Sequence, residues 1–230
     1  MKFLDLEYGG EKIIAMGDMI DCVPLINWLI KKHGRLIIPV QKKYRNNIMT
    51  FFPVHVNADF VGLNSFADYD YFHNTRDSVT IKITRKDKPR DYKHFEIATL
   101  YEAAGWDYDE RFELDTITEQ VKRIPQREVP AMPYAFIPEG GSEGSYRIDR
   151  RYVSSLLPIV PAQNEIMLTY ATMIQRAAEI HCHITAFQRL IDKLPTNGKL
   201  FLHHYVRQGN VKPENFYKYK MLTKEWKQLI

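Results

Sequence analysis

The sequence has little cysteine and no long apolar run. These two features argue against a disulfide-rich protein and against a membrane-spanning protein. Its two cysteines, Cys22 and Cys182, lie in apolar segments, which predicts buried free thiols in a reducing compartment rather than a disulfide framework. The longest apolar runs, such as residues 23–30, are too short to span a bilayer. The first residues turn charged without a signal-peptide core, so we expect a cytoplasmic protein with no membrane segment.

The net charge of +4 comes from the second half of the chain. Residues 1–128 hold 19 Lys and Arg against 20 Asp and Glu, whereas residues 129–230 hold 13 against 8. A basic half suits a polyanionic acceptor or a nucleoside diphosphate. It equally suits a solvated helix near the end of the chain, so charge alone leaves both readings open.

Apolar periodicity predicts strands alternating with helices in both halves of the chain, joined by a proline-rich linker before residue 134. Residues 53–78 are turn-rich and are predicted to form a long loop or several short pieces. The expected fold is α/β, with two Rossmann-like halves, 1–128 and 129–230, facing a cleft. We predict strands at 12–16, 35–40, 79–83, 134–137, 156–160, 179–184 and 199–203, and helices at 19–32, 41–50, 91–104, 166–178, 185–194 and 213–227.

Residues 13–24, IIAMGDMIDCVP, have the pattern of a buried strand, a glycine turn and a helix that starts on a carboxylate. Gly17 permits a sharp turn. Asp18 can accept bonds from the free N–H groups of the helix start. Because open α/β sheets bind ligands at the carboxyl ends of their strands, Asp18 could instead take a proton from a substrate. The segment by itself is compatible with either role.

Glycines and an arginine follow the first predicted strand of the second half. Gly140, Gly141 and Ser142 lie in the segment PEGGSEGSY, where backbone N–H groups could approach a phosphate. The segment matches neither the Walker pattern nor the dinucleotide pattern G-x-G-x-x-G, so a plain surface loop stays open as an alternative. Arg147 follows and could pair with a diphosphate.

Two later segments could also contact an anionic ligand. In IHCHITAFQRLID a strand runs into a helix, and the Thr185 hydroxyl with the N–H groups of Ala186 and Phe187 would form an anion site or an ordinary cap. The segment HHYVRQG places His204 and Arg207 just after a strand. Histidines alternate along the strand before Thr185, but no cysteine or carboxylate lies at a spacing that is typical of metal ligands. We therefore predict no metal site.

The order of these motifs resembles that of heptosyltransferase-like glycosyltransferases of the GT-B type, and more closely the small glycosyltransferase-like proteins of bacteriophage genomes. AMGDMIDCVPLINWLIKKHG followed by KKYRNN is similar to the amino-terminal part of that family. GSYRIDRRY, IHCHITAFQRLIDKLP and KLFLHHYVR are similar to three segments of its second half. Pro138 and Glu139 stand where the family often has His-Asp.

The resemblance implies sugar transfer from a nucleotide-sugar donor, with inversion and without a metal or another cofactor. Asp18 would then be the general base. The acceptor would lie near Gly17, Lys42, Lys43 and Tyr44. The donor would meet Gly140, Gly141, Ser142, Arg147, Thr185, Ala186, Phe187, His204 and Arg207.

The resemblance leaves the acceptor open. One candidate is a hydroxymethylated pyrimidine in DNA, which the basic second half and an aromatic loop at residues 60–72 would suit. A glycan or a lipid-linked sugar is the other. A nucleotide-sugar-binding protein without catalysis is the alternative from another class, whereas an NAD-dependent oxidoreductase would need a glycine turn that the chain lacks.

Overall fold

A computed structural model of the chain describes residues 1–8, 11–12, 16–83, 103–106, 115–141, 144–163, 165–206 and 224–229. The chain divides into an amino-terminal unit, Met1–Thr116, and a carboxyl-terminal unit, Ile117–Ile230. Each unit contains a mainly parallel sheet with helices, so the predicted α/β class is confirmed. Within the described ranges, none of the helices combines the length and the apolar character that a membrane crossing requires.

The amino-terminal unit is built on four parallel strands in the order β4-β3-β1-β5, and a short strand β2 pairs antiparallel with the end of β1. The chain runs outward from β1 to β3 and β4 and then returns to the other side of β1. The strands are β1 Lys2–Tyr8, β2 Glu11–Lys12, β3 Leu36–Gln41, β4 Ala58–Leu63 and β5 Ser78–Ile83. The helices are α1 Met16–His33, α2 Arg45–Met49 and α3 Phe66–Asn74.

Helix α1 forms where apolar residues recur at helical spacing, and its apolar side chains are buried. It ends at Gly34, whose φ of +79° is a left-handed conformation that glycine adopts without strain, and whose N–H bonds the carbonyl of Ile30 at 2.9 Å. The sequence predicted this helix at 19–32, close to its observed bounds.

Two predictions in this unit need correction. The strand expected at 12–16 meets the described strand β2 only at Lys12, and Met16 already begins α1, while residues 13–15 lie outside the described residues. The helix expected at 41–50 is a 3-10 turn, Lys42–Tyr44, followed by α2. For the turn-rich segment 53–78, the alternative of several short pieces is confirmed, because β4 and α3 lie inside it. Most of the helix expected at 91–104 lies outside the described residues.

The carboxyl-terminal unit has a parallel sheet with the strand order β12-β11-β10-β6-β9 and a separate hairpin made of β7 and β8. Two 3-10 turns, Arg150–Tyr152 and Met167–Tyr170, occur in its loops. The strands are β6 Tyr134–Phe136, β7 Gly140–Gly141, β8 Gly144–Ser145, β9 Leu157–Ile159, β10 Glu179–Cys182, β11 Lys199–His203 and β12 Lys227–Leu229. The helices are α4 Asp115–Arg123, α5 Ala171–Arg176 and α6 Ala186–Lys193.

The closing helix expected at 213–227 is wrong at its carboxyl end. Lys227 begins β12, which pairs in parallel with β11, and Trp226 is buried with its indole N–H bonded to Asp192 at 3.1 Å. The chain therefore forms an edge strand of the sheet there instead of a helix. The rest of that prediction up to residue 223 lies outside the described residues.

Gly198 allows the chain to pass close to the end of α5 before β11. A Cβ atom at this position would lie 2.2 Å from the carbonyl oxygen of Ala177 and 3.0 Å from that of Ala178. Lys199 N–H bonds the Ala178 carbonyl at 3.0 Å, so the backbone cannot shift away without loss of that bond.

We therefore expect Gly198→Ala to lower the free energy of unfolding by about 1–3 kcal/mol, the usual range for overpacking. Urea denaturation of the variant beside Asn197→Ala, an exposed neighbour, measures the effect. Equal midpoints for the two variants would contradict the close approach.

Candidate functional site

The sheet of the carboxyl-terminal unit reverses its winding between β6 and β10. After β6 the chain moves to β9 on one side, and after β10 it moves to β11 and on to β12 on the other. Such a switch point opens a crevice at the carboxyl ends of the strands, where open α/β sheets bind ligands. The loops that follow β6 and β10 flank this crevice, and they contain most of the residues predicted to bind a donor.

Helix α6 starts directly at the switch point. Thr185 is its N-cap residue in extended conformation, and its side chain makes no capping bond. Its hydroxyl instead lies 3.4 Å from the carbonyl of His183. The first N–H groups of the helix, from Ala186 onward, are therefore not capped by Thr185, and the positive end of the helix dipole faces the same way. This arrangement suits an anion.

Phe187 fixes the start of α6 against the sheet. Its ring lies 5.8 Å from that of Phe136 on β6 and 6.3 Å from that of Tyr170, both in edge-to-face geometry. Such aromatic pairs add stabilisation beyond burial of their area. Phe187 thus holds in place the helix end that the sequence analysis assigned to the donor, and its half-buried position leaves part of the side chain accessible.

Gly140 and Gly141 form a short hairpin rather than an open loop. They pair antiparallel with Ser145 and Gly144. Because this pairing uses backbone groups that an anion nest would direct at a phosphate, the hairpin differs from the predicted geometry. Ser142 lies outside the described residues, and the contacts of these glycines with a donor stay a prediction.

The loop after this hairpin is held by Glu139. The Glu139 carboxylate accepts the backbone N–H of Ile148 at 2.8 Å and pairs with the Arg150 guanidinium at 3.1 Å. Tyr146 N–H in turn bonds the Glu139 carbonyl at 2.7 Å. Arg147 is exposed between these anchors. The structure thus gives Glu139, which departs from the family pattern, a clear part in shaping the loop.

His204 lies beyond the end of β11, half-buried, and its backbone N–H bonds the Leu229 carbonyl at 2.8 Å. Burial lowers the pKa of His204, which favours the neutral imidazole at pH 7. Arg207 lies outside the described residues. The donor contacts predicted for His204 and Arg207 therefore stay predictions.

In the amino-terminal unit, the residues predicted for the acceptor side lie at the carboxyl edge of the sheet. Asp18 is half-buried in the first turn of α1, which follows β2. Gly17 is the second residue of that helix and not the turn that was predicted. Lys42, Lys43 and Tyr44 directly follow β3, and the Lys43 ammonium lies 4.7 Å from the centre of the Tyr44 ring.

Sequence reasoning missed a buried ionic cluster in this unit. Asp5 and Glu7 are almost fully buried on β1, and the Lys12 ammonium bridges them at 3.0 and 2.7 Å. Tyr69 donates a short hydrogen bond to Asp5, and burial together with that bond raises the pKa of Tyr69. The signal was available in the alternation of acidic residues with Phe3 and leucines along KFLDLEY, since strands alternate faces.

His73 and Lys82 complete this cluster. The His73 imidazole lies 3.3 Å from Asp5, and the Lys82 ammonium lies 2.7 Å from Glu7. Lys82 is half exposed, whereas Lys12 is mostly buried. Lys12 thus joins the short strand β2, which precedes α1 and Asp18, to β1 through side chains as well as through backbone pairing.

Comparison with solved structures finds similar folds among glycosyltransferases. The chain is similar to E. coli heptosyltransferase WaaC with ADP-2-deoxy-2-fluoro heptose, with a TM-score of 0.52, 10% identity and coverage of 99% of this chain and 92% of that one. It is similar to the same enzyme with ADP, with a TM-score of 0.50, 8% identity and coverage of 99% and 90%. No protein-family model and no curated protein matches the sequence. The similarity shows a shared GT-B fold.

Proposed function

We propose that this protein is a glycosyltransferase that moves a sugar from a nucleotide-sugar donor to an acceptor hydroxyl. The observation that carries the proposal is the switch point between β6 and β10. The loop after β10 leads into α6, whose start Thr185 does not cap, and the loop after β6 carries the exposed Arg147. A helix dipole and a guanidinium are suited to a diphosphate. The similar fold of a heptosyltransferase solved with ADP and with an ADP-sugar supports a donor of this class.

In the proposed reaction Asp18 is the general base. Its carboxylate takes the proton of the acceptor hydroxyl while the hydroxyl oxygen forms a bond to the anomeric carbon of the sugar. The bond from that carbon to the diphosphate oxygen breaks, and the nucleoside diphosphate leaves with the electron pair. Attack from the face opposite the leaving group inverts the anomeric carbon. Arg147 and the α6 dipole would stabilise the departing charge without a metal ion.

For the acceptor we propose a hydroxymethylated pyrimidine in DNA. Lys42, Lys43 and Tyr44 support this choice, because two exposed lysines beside an aromatic ring suit a phosphate backbone and a base. A glycan or lipid-linked sugar would use the same aromatic ring for stacking on sugar, and the assay below separates the two. Retained donor binding without any transfer would instead favour a binding protein.

The test is incubation with a panel of nucleotide sugars and DNA containing 5-hydroxymethylcytosine or 5-hydroxymethyluracil, followed by digestion and mass spectrometry of the nucleosides. The expected result is one nucleoside heavier by a hexose or pentose residue. Donor hydrolysis or donor protection against thermal unfolding, without a heavier nucleoside, would overturn the DNA acceptor. No response to any donor would overturn sugar transfer.

Arg147→Ala is expected to weaken nucleoside diphosphate binding by about 1–3 kcal/mol, because a direct charge-assisted pair is lost. Isothermal titration calorimetry with ADP and UDP measures the change. Arg151→Ala is a matched control, since the Arg151 guanidinium is 86% exposed and already pairs with Asp149 on its own loop. Equal losses for the two variants would place the diphosphate elsewhere.

A further inference from the structure

The carboxyl-terminal unit contains a row of polar side chains, with two buried histidines at its centre, that the proposed reaction does not use. His181 on β10 and His203 at the end of β11 are fully buried, and their Nδ1 and Nε2 atoms lie 2.9 Å apart. They meet because the two strands are parallel with His181 opposite Phe201, which places His203 two residues further along the same face. The Phe201 ring stacks on His181 at 4.5 Å.

The row continues at both ends. His181 Nε2 lies 3.3 Å from a carboxylate oxygen of Glu179, which also accepts the Ser154 hydroxyl at 2.7 Å. His203 Nδ1 lies 2.9 Å from the Tyr205 hydroxyl oxygen. That oxygen lies 3.1 Å from the backbone nitrogen of Asp149 and accepts its N–H.

The chemistry of the row fixes both histidine tautomers. Burial acts to raise the pKa of Glu179, but the bonds from Ser154 and His181 outweigh it, so the pKa falls and the carboxylate is ionised and accepts. His181 therefore carries its proton on Nε2, and its Nδ1 accepts from His203 Nε2. His203 Nδ1 is then the acceptor for the Tyr205 hydroxyl.

Both imidazoles are neutral near pH 7. Burial lowers the pKa of His181, and burial together with the neighbouring histidines lowers the pKa of His203 to about 4. The groups that act on the pair are Glu179, Arg150, Asp149, His183 and His204. Between Asp149 and Glu179, each group in the row consequently donates its hydrogen to the next group on the Glu179 side.

The row ends on the loop that carries Arg147. Asp149 N–H is the bonded group, and the Tyr152 ring from the same loop lies 5.9 Å from His203 and 5.6 Å from Tyr205. Glu139 holds this loop from its other side through Ile148. The exposed Arg147 side chain is thus carried by a backbone segment with fixed points immediately after it.

We propose that Tyr205, oriented by His203, is a positioning residue that acts through Arg147 by fixing the loop on which that guanidinium meets the diphosphate. The inference rests on the proposed function, because Arg147 needs a diphosphate to act on. In this role the Tyr205 hydroxyl acts through the loop and makes no contact of its own with the donor. Its loss frees Asp149 N–H and leaves the buried His203 Nδ1 without its donor.

The test is calorimetric titration of ADP and UDP into four proteins: wild type, Tyr205→Phe, Arg147→Ala and the double variant. Tyr205→Phe is expected to raise Kd about 5- to 10-fold, the scale of one lost hydrogen bond. In the Arg147→Ala background the same change should have little further effect, because residues that act as one unit are not additive. Tyr152→Phe is the matched control, since its hydroxyl makes no hydrogen bond to the described residues.

Nitrogen-15 NMR of labelled histidine provides a readout independent of the ligand. His203 Nδ1 should show the shift of an unprotonated, hydrogen-bonded nitrogen in wild type and lose that bond in Tyr205→Phe, but not in Tyr152→Phe. If wild type binds ADP or UDP and Tyr205→Phe binds them equally well, the positioning role is overturned while the proposed function stands. The same conclusion follows if the losses in binding free energy of Tyr205→Phe and Arg147→Ala add up in the double variant. If wild type binds neither, both are overturned.

Discussion

Replacing Lys12 with methionine is expected to lower the free energy of unfolding of the amino-terminal unit by about 3–5 kcal/mol, because removal of one partner leaves buried charges uncompensated. The Lys12 ammonium contacts both Asp5 and Glu7, whose side chains are 3% and 9% exposed. Hydrogen exchange of peptides that cover β3, followed by mass spectrometry, reports this unit independently of the other.

Lys82→Met supplies the matched control for that experiment. Lys82 contacts the same Glu7 at 2.7 Å, but its side chain is 53% exposed. An exposed partner is screened by water, so its loss should cost at most about 1 kcal/mol. Similar effects for the two substitutions would show that burial of Lys12 contributes little.

The Lys12 effect should also depend on pH. The bonds from Lys12 and Lys82 lower the pKa of Glu7. A lowered carboxyl pKa stabilises the fold above the unfolded value, about 4.3, and that contribution is lost as the pH falls through the folded value. The difference in unfolding free energy between wild type and Lys12→Met is therefore expected to have its maximum value at about pH 6–7 and to become smaller below about pH 4.

Asp18→Asn is expected to reduce sugar transfer about 100-fold or more while donor affinity stays nearly unchanged. The amide keeps the shape of the carboxylate and its place in the first turn of α1, but it cannot accept the acceptor proton at neutral pH. Single-turnover rates with the nucleotide sugar that passes the mass-spectrometric assay measure the loss, and calorimetry with its nucleoside diphosphate measures affinity.

Asp68→Asn is the control for this substitution. Asp68 is also a half-buried carboxylate in the first turn of a helix, where it accepts the backbone N–H of Asn64 at 2.8 Å. The two variants lose the same charge at equivalent helix positions, but only Asp18 lies at the start of α1. Wild-type turnover in Asp18→Asn would limit Asp18 to a structural role in the first turn of α1.

Elements whose apolar residues follow the period of a strand or a helix could be predicted from the sequence. β11 was predicted with its observed bounds, and α6 and β6 each within one residue at either end. These segments carry apolar residues on their buried side and have glycine, proline or polar residues beyond their ends, so local pattern and tertiary position agree.

β1 was not among the predicted strands, because acidic residues occupy part of its buried face and interrupt the apolar pattern. Asp5 and Glu7 resemble solvated positions until the hairpin brings Lys12 alongside them. The same limit applies to His181 and His203, which sequence reasoning assessed as separate features. Their contact depends on the register of β10 against β11, and a shift of one residue would move either side chain to the other face.

In the candidate site too, residues with a local sequence pattern could be predicted, whereas contacts between distant segments could not. Thr185 and Arg147 were identified from residue type and from their place after a strand, which are local properties. The anchoring of the Arg147 loop by Glu139 and Tyr205 joins residues from separate segments of the chain. Hydrogen bonds of that kind carry no signal in a single sequence.

The burial of both thiols has a practical consequence for spectroscopy. Cys22 and Cys182 are fully buried, and burial raises the pKa of Cys182 to about 12. Thiolate is the species that reacts with maleimides, so neither side chain should take up dye in the native protein. Cysteines introduced at exposed Asp70 and Ser155, one in each unit, could therefore be labelled in the otherwise wild-type chain. Energy transfer between the two dyes would then report any change in their separation when a nucleotide sugar is added.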